Sequence, residues 1–380
     1  MGSPPMLQGG SPVSTDFLSL PGAVDGIGTD AGVPAHYGNP LREQRSLAED
    51  SAIVDLSHRA VLAISGEDRL SWLDSLTSQS LKNRAPGEST ETLLLGQTGR
   101  LEYAVRVLDD GVVAWLLLER DEAPGLAAWL TSMKFMLRVE VTDRSSEFAT
   151  VGTFGSPELP VASQNGVELA WHDPWTTVSA GGFQYAASDG HPSSDWHWSE
   201  LLVARADLPA VVARVASGEL PVAGLLAVEA LRIAAWRPRF ATEVDEKTIP
   251  HELDWLRSAV HLSKGCYRGQ ETVAKVHNLG HPPRRLVMLH LDGTDAVLPS
   301  RGDDVVLGDT TVGAVTSVGL HYEFGPIALA VIKRTTNPSA VLAVRAGEIT
   351  VSASQEVIVP PDAGATAGVP RLPRLGAVKR

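Results

Sequence analysis

The sequence predicts an α+β protein with two α+β units, each built on an antiparallel sheet, followed by a small C-terminal β-barrel. Strand and helix patterns alternate in two successive stretches, and Asp109-Asp110-Gly111 is a strong hairpin signal. From about residue 284, short apolar runs are separated by Gly and Asp without a helical pattern. The predicted boundaries are 1–40 (flexible N-terminal segment), 41–147 (first unit), 148–283 (second unit), 284–360 (barrel) and 361–380 (flexible tail).

The composition allows a large core and argues against polyanionic partners. The chain has 380 residues, 43% hydrophobic and 20% charged, which is enough for two or three packed units. Its formal net charge of -13 would repel a phosphate backbone or an anionic membrane over most of the surface. Nucleic-acid and membrane partners are therefore not expected, and an anionic ligand would need a local cluster of Arg and Lys.

The sequence also predicts a cytoplasmic protein without a metal site. The N-terminus has no positively charged segment followed by an apolar core, and no apolar run approaches the roughly 20 residues that span a bilayer. Cys266 is the single cysteine, which excludes an internal disulfide framework or a Cys-rich metal site within one chain. His277 and His281 stand four apart, but Gly280 and Pro282 interrupt a helix through them.

In the first unit, residues 53–56 and 60–64 are typical of short strands. Ser65 with Asp68 resembles a capping box, and the leucines that follow mark the buried stripe of a helix. Similar patterns predict strands at 92–97, 103–108, 112–118 and 138–142 and a helix at 124–135.

In the second unit, helices are predicted at 208–216 and 224–236, the latter stopped by Pro238. Glu229 and Arg232 share one helix face. They are candidates for ligand contacts, or an ordinary pair on a partly exposed face worth about 0.3 kcal/mol. The barrel strands are predicted at 286–291, 304–307, 311–318, 327–332 and 348–359.

The densest group of reactive side chains lies at residues 264–271, Lys-Gly-Cys-Tyr-Arg-Gly-Gln-Glu. Gly265 and Gly269 would allow tight backbone turns, and residues 270–275 are typical of a helix start. The sequence has no phosphate-binding loop of Walker type, no dinucleotide fingerprint after a strand and no nucleophile elbow. This octapeptide is therefore the leading candidate site.

Cys266 would lie just before a helix N-terminus, with Lys264 and Arg268 adding positive charge. The helix dipole and both cations favour a thiolate, so a reactive cysteine is physically reasonable. A buried, inert cysteine in a tight loop is the alternative that the residues leave open.

The octapeptide is similar to the signature of the YgfZ-type folate-binding proteins, a branch of the superfamily of the glycine-cleavage T-protein, an aminomethyltransferase. Residues 55–58 (Asp-Leu-Ser-His) resemble the opening Asp-x-Ser-His of T-protein relatives, and 229–233 resemble their Asp/Glu-x-Leu-Arg-x-Glu helix. Residues 248–252 resemble the loop that follows, and 313–317 part of the C-terminal barrel. The resemblance covers roughly residues 50–335 in the right order.

This resemblance implies three units around a central folate-sized channel that holds tetrahydrofolate. It implies that Cys266 is the functional group. From the residues alone, Trp255 and Tyr267 could instead be core residues that contact no ligand. The basic candidates could instead be scattered over a solvated surface. The implied folate contacts are Lys264, Tyr267, Arg268, Gln270, Glu229, Arg232, Trp255 and Arg284.

The chain departs from the T-protein pattern at two places. T-proteins carry a pair of aspartates after a Gly-Gly turn, whereas here Glu102-Tyr103 occupies that position. Tyrosine supplies no carboxylate, and Glu102 is longer by one methylene, which displaces a group whose role depends on position. The glutamate that grips the pterin ring in T-proteins is Ala234 here.

Two functional hypotheses result. The first is a folate-binding accessory protein that supports assembly or repair of iron–sulfur enzymes, with folate and those enzymes or their assembly proteins as partners. The alternative is a tetrahydrofolate-dependent aminomethyl (one-carbon) transferase in which Glu102 is the catalytic carboxylate. A scaffold that binds only partner proteins is a third possibility.

Overall fold

The computed structural model describes residues 16–187, 189–294 and 297–368. In the first sheet, side chains alternate between two faces: Leu62 and Ile64 pack under the helices, whereas Val61 and Ala63 face the second sheet. This sheet is antiparallel, and two helices, Arg69–Leu76 and Ala123–Met133, cover it. Its strands, in spatial order, are Ser89–Leu95, Leu101–Asp109, Val113–Leu118, Ala60–Ser65 and Glu140–Asp143.

The second sheet includes a strand that precedes all strands of the first sheet in the sequence. Ile53–Asp55 lies between an antiparallel neighbour, Phe148–Thr153, and a parallel one, Val222–Ala223. The sequence places this strand in the first unit, but the chain reverses at residues 56–59, so the strand joins the other sheet. The spatial order is Ala170–His172, Ser199–Ala204, Phe148–Thr153, Ile53–Asp55 and Val222–Ala223, and a separate hairpin pairs Ser163–Gln164 with Val167–Glu168.

The helices of the second unit lie close to their predicted positions. The helix predicted at 224–236 is Leu225–Ala234, and it ends early because Trp236 adopts a left-handed backbone with φ of 57°. The next residues therefore leave the helix axis before Pro238. The other helices here are Leu208–Ala216, Phe240–Glu243, Leu256–Ala259 and Gln270–Leu279.

The C-terminal unit is a closed barrel of six strands. Alternate residues such as Val287 and Leu289 fill its interior together with Ala328 and Ala330. The predicted α+β class, with antiparallel sheets and a small terminal barrel, is thereby confirmed. The strands, in spatial order, are Arg284–Leu291, Gly325–Lys333, Thr310–His321, Asp304–Leu307, Leu342–Ala346 and Ile349–Val357.

The structure differs from the sequence prediction at both ends of the chain. Phe17 is fully buried among residues of the second sheet, and Val24–Asp25 pairs with Pro34–His36 ahead of the helix Pro40–Ala48. Near the other end, Thr366 bonds the last turn of the helix Gln270–Leu279. Residues 1–15 and 369–380, also predicted flexible, lie outside the described residues. Short 3-10 helices lie at Asp16–Ser19, Gly28–Asp30, Arg120–Glu122, Pro174–Thr176, Pro192–Asp195, Arg205–Asp207 and Pro250–Leu253.

Within the described ranges, no helix is long and apolar enough to cross a membrane. The same residues contain no group of three or more His, Cys, Asp and Glu side chains that could hold a metal ion. The two histidines considered above have other partners: His277 bonds the Tyr185 hydroxyl at 2.9 Å, and His281 bonds the Ala363 carbonyl at 2.8 Å.

Candidate functional site

The loop that carries Cys266 is docked on the first sheet. Gly269 has a φ of 82° and precedes the helix Gln270–Leu279. A Cβ at Gly269 would lie 2.6 Å from the carbonyl oxygen of Gly96, in the turn between the first two strands of that sheet. Cys266 is exposed, so the alternative of a buried, inert cysteine is wrong. Gly265 lies in a bend of the loop, and its backbone is not left-handed.

Lys264 anchors this loop to the end of the helix Arg69–Leu76. Its ammonium donates to the carbonyls of Thr77 and Gln79 at 2.7 and 2.9 Å, and also to that of Asp74. Burial lowers the pKa of Lys264, and the Asp74 carboxylate at 3.6 Å opposes that shift. These hydrogen bonds close the end of the helix Arg69–Leu76, and the effect of this cation on the Cys266 sulfur stays a prediction.

Arg268 is also committed to a partner other than the sulfur. Its guanidinium pairs with the carboxylate of Glu102 at 2.9 Å, and the two side chains are 35% and 37% exposed. Gln270 donates to the carbonyl of Lys264 at 3.2 Å, and Tyr267 is buried with the Lys264 ammonium 5.3 Å from its ring centre. Five of the predicted site residues thus surround Cys266, mainly as supports of its loop.

A second group of predicted residues lines a central cavity of about 40 Å³ between the two sheets and the helix Leu225–Ala234. Glu229, Arg232 and Trp255 are in its wall, whereas Cys266 and Glu102 are not. The wall also contains four further arginines and four further carboxylates: Arg59, Arg106, Arg237, Arg239, Glu91, Glu119, Asp173 and Glu200.

Arg237 occupies the centre of the charge network in this wall. It donates to Glu91 at 2.7 Å and to Asp173 at 2.9 Å, and all three side chains are buried. Burial alone would lower the pKa of Arg237, but Asp173 and Glu91 outweigh burial and raise it. Burial raises the pKa of Asp173 despite the opposing charge of Arg237. Removing the arginine would leave two uncompensated carboxylates.

Arg232 and Arg239 extend the network toward the barrel and the N-terminal segment. Arg232 pairs with Glu229 at 2.7 Å and with Glu243 at 2.9 Å. The view of Glu229 and Arg232 as a partly exposed surface pair is therefore wrong, because the Arg232 side chain is only 5% exposed. Arg239 pairs with Glu119 at 2.8 Å and with Asp30 at 2.6 Å, which ties the N-terminal segment to the cavity wall.

Four buried polar atoms in the cavity wall have no partner among the described residues. They are Nε of Arg59, Nη1 of Arg237, Nε1 of Trp255 and Oε2 of Glu200. Ordered waters can satisfy them, since one water needs about 10–15 Å³. Organic ligands occupy pockets of about 300–1,000 Å³. The cavity therefore does not fit tetrahydrofolate in this conformation.

Arg284 lies apart from both groups. It forms a bidentate contact with Asp245 at 2.6 and 2.9 Å and pairs with Glu252 at 2.7 Å, at the start of the barrel. Burial alone would lower the pKa of Arg284, but these carboxylates raise it. The predicted site residues are therefore divided among three places in the fold.

The arginines at the cavity centre are not marked by any of the sequence patterns above. Arg59 and Arg106 both pair with Glu200, and the Arg106 pair measures 3.2 Å. Each arginine is far from that glutamate in the sequence. The one available signal was Arg237-Pro238-Arg239, two arginines directly after a helix that carries a third. A short segment with three cations facing the protein interior needs several buried carboxylates, but it does not indicate which ones.

The chain is similar in sequence to known proteins, two of which share about a quarter of their residues with it at matched positions. No family model matches the chain. A chloroplastic protein of Arabidopsis thaliana, named as a candidate transferase, is 24% identical over 80% of this chain and 70% of its own. An aminomethyltransferase of Herpetosiphon aurantiacus is 25% identical over 75% of this chain and 79% of its own.

Among solved structures, the glycine cleavage system aminomethyltransferase T from Bartonella henselae superimposes with a TM-score of 0.69 and 16% identity. The match covers 92% of this chain and 94% of that one. The chain therefore has the fold of that aminomethyltransferase, which confirms the fold that the sequence resemblance implied.

Proposed function

We propose that this chain is a cytoplasmic accessory protein that supports the assembly or repair of iron–sulfur enzymes, and that Cys266 is the group that acts on its partners. The observation that carries the proposal is the exposed sulfur on a loop anchored at two places. Gly269 packs against the turn of the first sheet, and Lys264 bonds the end of the helix Arg69–Leu76. A thiolate is both a nucleophile and a ligand for iron, so an anchored, accessible cysteine suits transient contact with a cluster or its protein.

The position of Glu102 favours this role over one-carbon transfer. A catalytic carboxylate must lie within hydrogen-bond reach of the reacting group. Here the carboxylate pairs with Arg268 beside the docked loop and is absent from the wall of the central cavity. Tyr103, which follows it, packs its hydroxyl next to Gly125 and supplies no second acid.

Folate binding is implied by the resemblance to folate-binding proteins. Because the central cavity measures about 40 Å³, tetrahydrofolate would require side chains such as those of Arg237 and Trp255 to move apart. The proposed role of Cys266 does not depend on that movement. The accessory function can therefore be tested separately from folate binding.

Replacing Cys266 by alanine should reduce iron–sulfur enzyme activities to the level of a strain that lacks this protein, because alanine can neither attack nor bind metal. The measurement is the activity of iron–sulfur enzymes in a deletion strain complemented with wild type or with Cys266→Ala. Ser263→Ala, at an exposed position in the same loop, is the matched control and should complement fully. Full complementation by Cys266→Ala at equal protein level would refute the proposal.

Purified protein should show no turnover with an aminomethyl donor and tetrahydrofolate. The assay would follow methylenetetrahydrofolate formation by wild type and by Glu102→Gln. Turnover that disappears in Glu102→Gln would favour the transferase over the accessory role. Residual activity equal in both proteins would point to a contaminant, and the proposal would stand.

A further inference from the structure

A second cavity, of about 570 Å³, lies at the junction of the two sheets and is separate from the Cys266 loop. Its volume falls within the range of about 300–1,000 Å³ that holds small organic ligands. Its wall includes Ser57 at the chain reversal and the start of the helix Ala123–Met133. It also includes three arginines: Arg120, Arg205 and Arg59, the last of which pairs with Glu200. The accessory function assigns no role to this cavity.

Backbone carbonyls orient Arg120 and Arg205. Nε of Arg120 donates to the carbonyl of His58 at 2.9 Å. Nε and Nη2 of Arg205 donate to the carbonyls of Ser145 and Ser57 at 2.7 and 2.8 Å. Within the described residues, both Nη groups of Arg120 and Nη1 of Arg205 have no hydrogen-bond partner. Each guanidinium is thus held in one orientation and keeps N–H groups that can donate to a ligand.

The cavity wall has more basic than acidic side chains. Neither Arg120 nor Arg205 forms an ion pair within 4.0 Å among the described residues. Burial lowers the pKa of Arg205, and the charge of Arg120 adds to the effect while Asp55 opposes it. The cavity wall has one acidic residue, Asp143, which accepts from the backbone of Ser145 at 2.8 Å. An anion would relieve the repulsion between the two guanidiniums.

Ser57 adds a neutral donor to the same wall. The residue is 3% exposed, and its hydroxyl has no partner among the described residues. A buried hydroxyl without a partner carries a free-energy cost for the folded protein. An oxygen ligand in the cavity would remove that cost. The hydroxyl and the two guanidiniums therefore provide complementary donors for one group.

We propose that this cavity binds a small molecule through a phosphate or carboxylate group held by Arg120, Arg205 and Ser57. The N-terminal end of the helix Ala123–Met133 faces the same space through Ala123 and Pro124, and its dipole favours negative charge there. The cavity volume beyond the anion leaves room for the rest of such a molecule.

Calorimetric titration at low ionic strength, with inorganic phosphate in one arm and succinate in the other, tests this site. We expect saturable binding of at least one anion. The anion that binds more tightly shows whether the site prefers a phosphate or a carboxylate group. Arg120→Gln and Ser57→Ala should each weaken that binding about tenfold or more, because hydrogen bonds to charged groups contribute about 1.5–3 kcal/mol. Arg120→Gln should melt close to the wild-type temperature, whereas Ser57→Ala should melt at or above it, because alanine removes the buried hydroxyl that has no partner among the described residues.

Arg138→Gln is the control, since it removes the same charge from an exposed arginine that is 66% accessible. It should bind the anion as wild type does. The proposal fails if neither anion binds saturably up to about 10 mM, a range that corresponds to a very weak site. It fails equally if Arg120→Gln and Arg138→Gln bind alike, because attraction to general surface charge would then explain the result.

Discussion

Replacing Arg237 by methionine should lower the free energy of unfolding by about 3–5 kcal/mol, the usual cost of removing one partner from a buried ion pair. The methionine leaves the carboxylates of Glu91 and Asp173 buried without their cation. The guanidinium also lies 5.1 Å from the ring centre of Trp175, so packing is lost as well. Denaturant unfolding followed by tryptophan fluorescence measures the change.

Arg138→Met provides the matched control for this change. Arg138 also pairs with two carboxylates, Glu67 and Asp68, but the pairs lie on the surface. Exposed pairs contribute about 0–1 kcal/mol, so this variant should unfold almost as wild type does. Equal losses in the two variants would show that Glu91 and Asp173 do not depend on Arg237 to compensate their buried charge.

Replacing Gly269 by alanine should cost about 2–4 kcal/mol and detach the Cys266 loop from the first sheet. The backbone has a φ of 82°, and the added Cβ would lie 2.6 Å from the carbonyl oxygen of Gly96 and 3.1 Å from Cα of Gly99. Neither neighbour is a flexible side chain, so one backbone segment must move. Thermal unfolding and the rate of Cys266 alkylation report the two effects.

Gly265→Ala is the corresponding control in the same loop. No atom lies within 4 Å of a Cβ at Gly265, and its backbone is not left-handed. Its unfolding free energy should stay within about 0.5–1 kcal/mol of wild type, with an unchanged alkylation rate. Wild-type stability in Gly269→Ala would mean that the contact between the loop and the turn contributes little to the fold.

Local patterns in the sequence predicted most of the fold. The apolar run at residues 60–64 marked the strand Ala60–Ser65, and the turn at Asp109-Asp110-Gly111 marked the hairpin of Leu101–Asp109 with Val113–Leu118. The position of Ile53–Asp55 could not be predicted this way, because a strand pattern does not identify its neighbours. Its partners Thr153 and Val222 are supplied by distant parts of the chain.

The candidate site was predictable only in part, for a related reason. The left-handed turn at Gly269 follows from residue type, since glycine favours that backbone. The partners of Lys264 and Arg268 do not follow, because they come from the helix Arg69–Leu76 and from Glu102. The charged cavity wall depends on long-range pairs such as Arg237 with Glu91. Ion pairs of this kind leave no periodic signal in a single sequence.

The location of Ile53–Asp55 has a consequence for how the protein folds. The strand sits inside the second sheet, between Phe148–Thr153 and Val222–Ala223, although the whole first sheet follows it along the chain. A fragment cut between the two units would leave one piece with an unpaired strand and the other with a gap in its sheet. The two halves are therefore not autonomous modules, and the long loop between the paired strands makes their assembly a late, cooperative event.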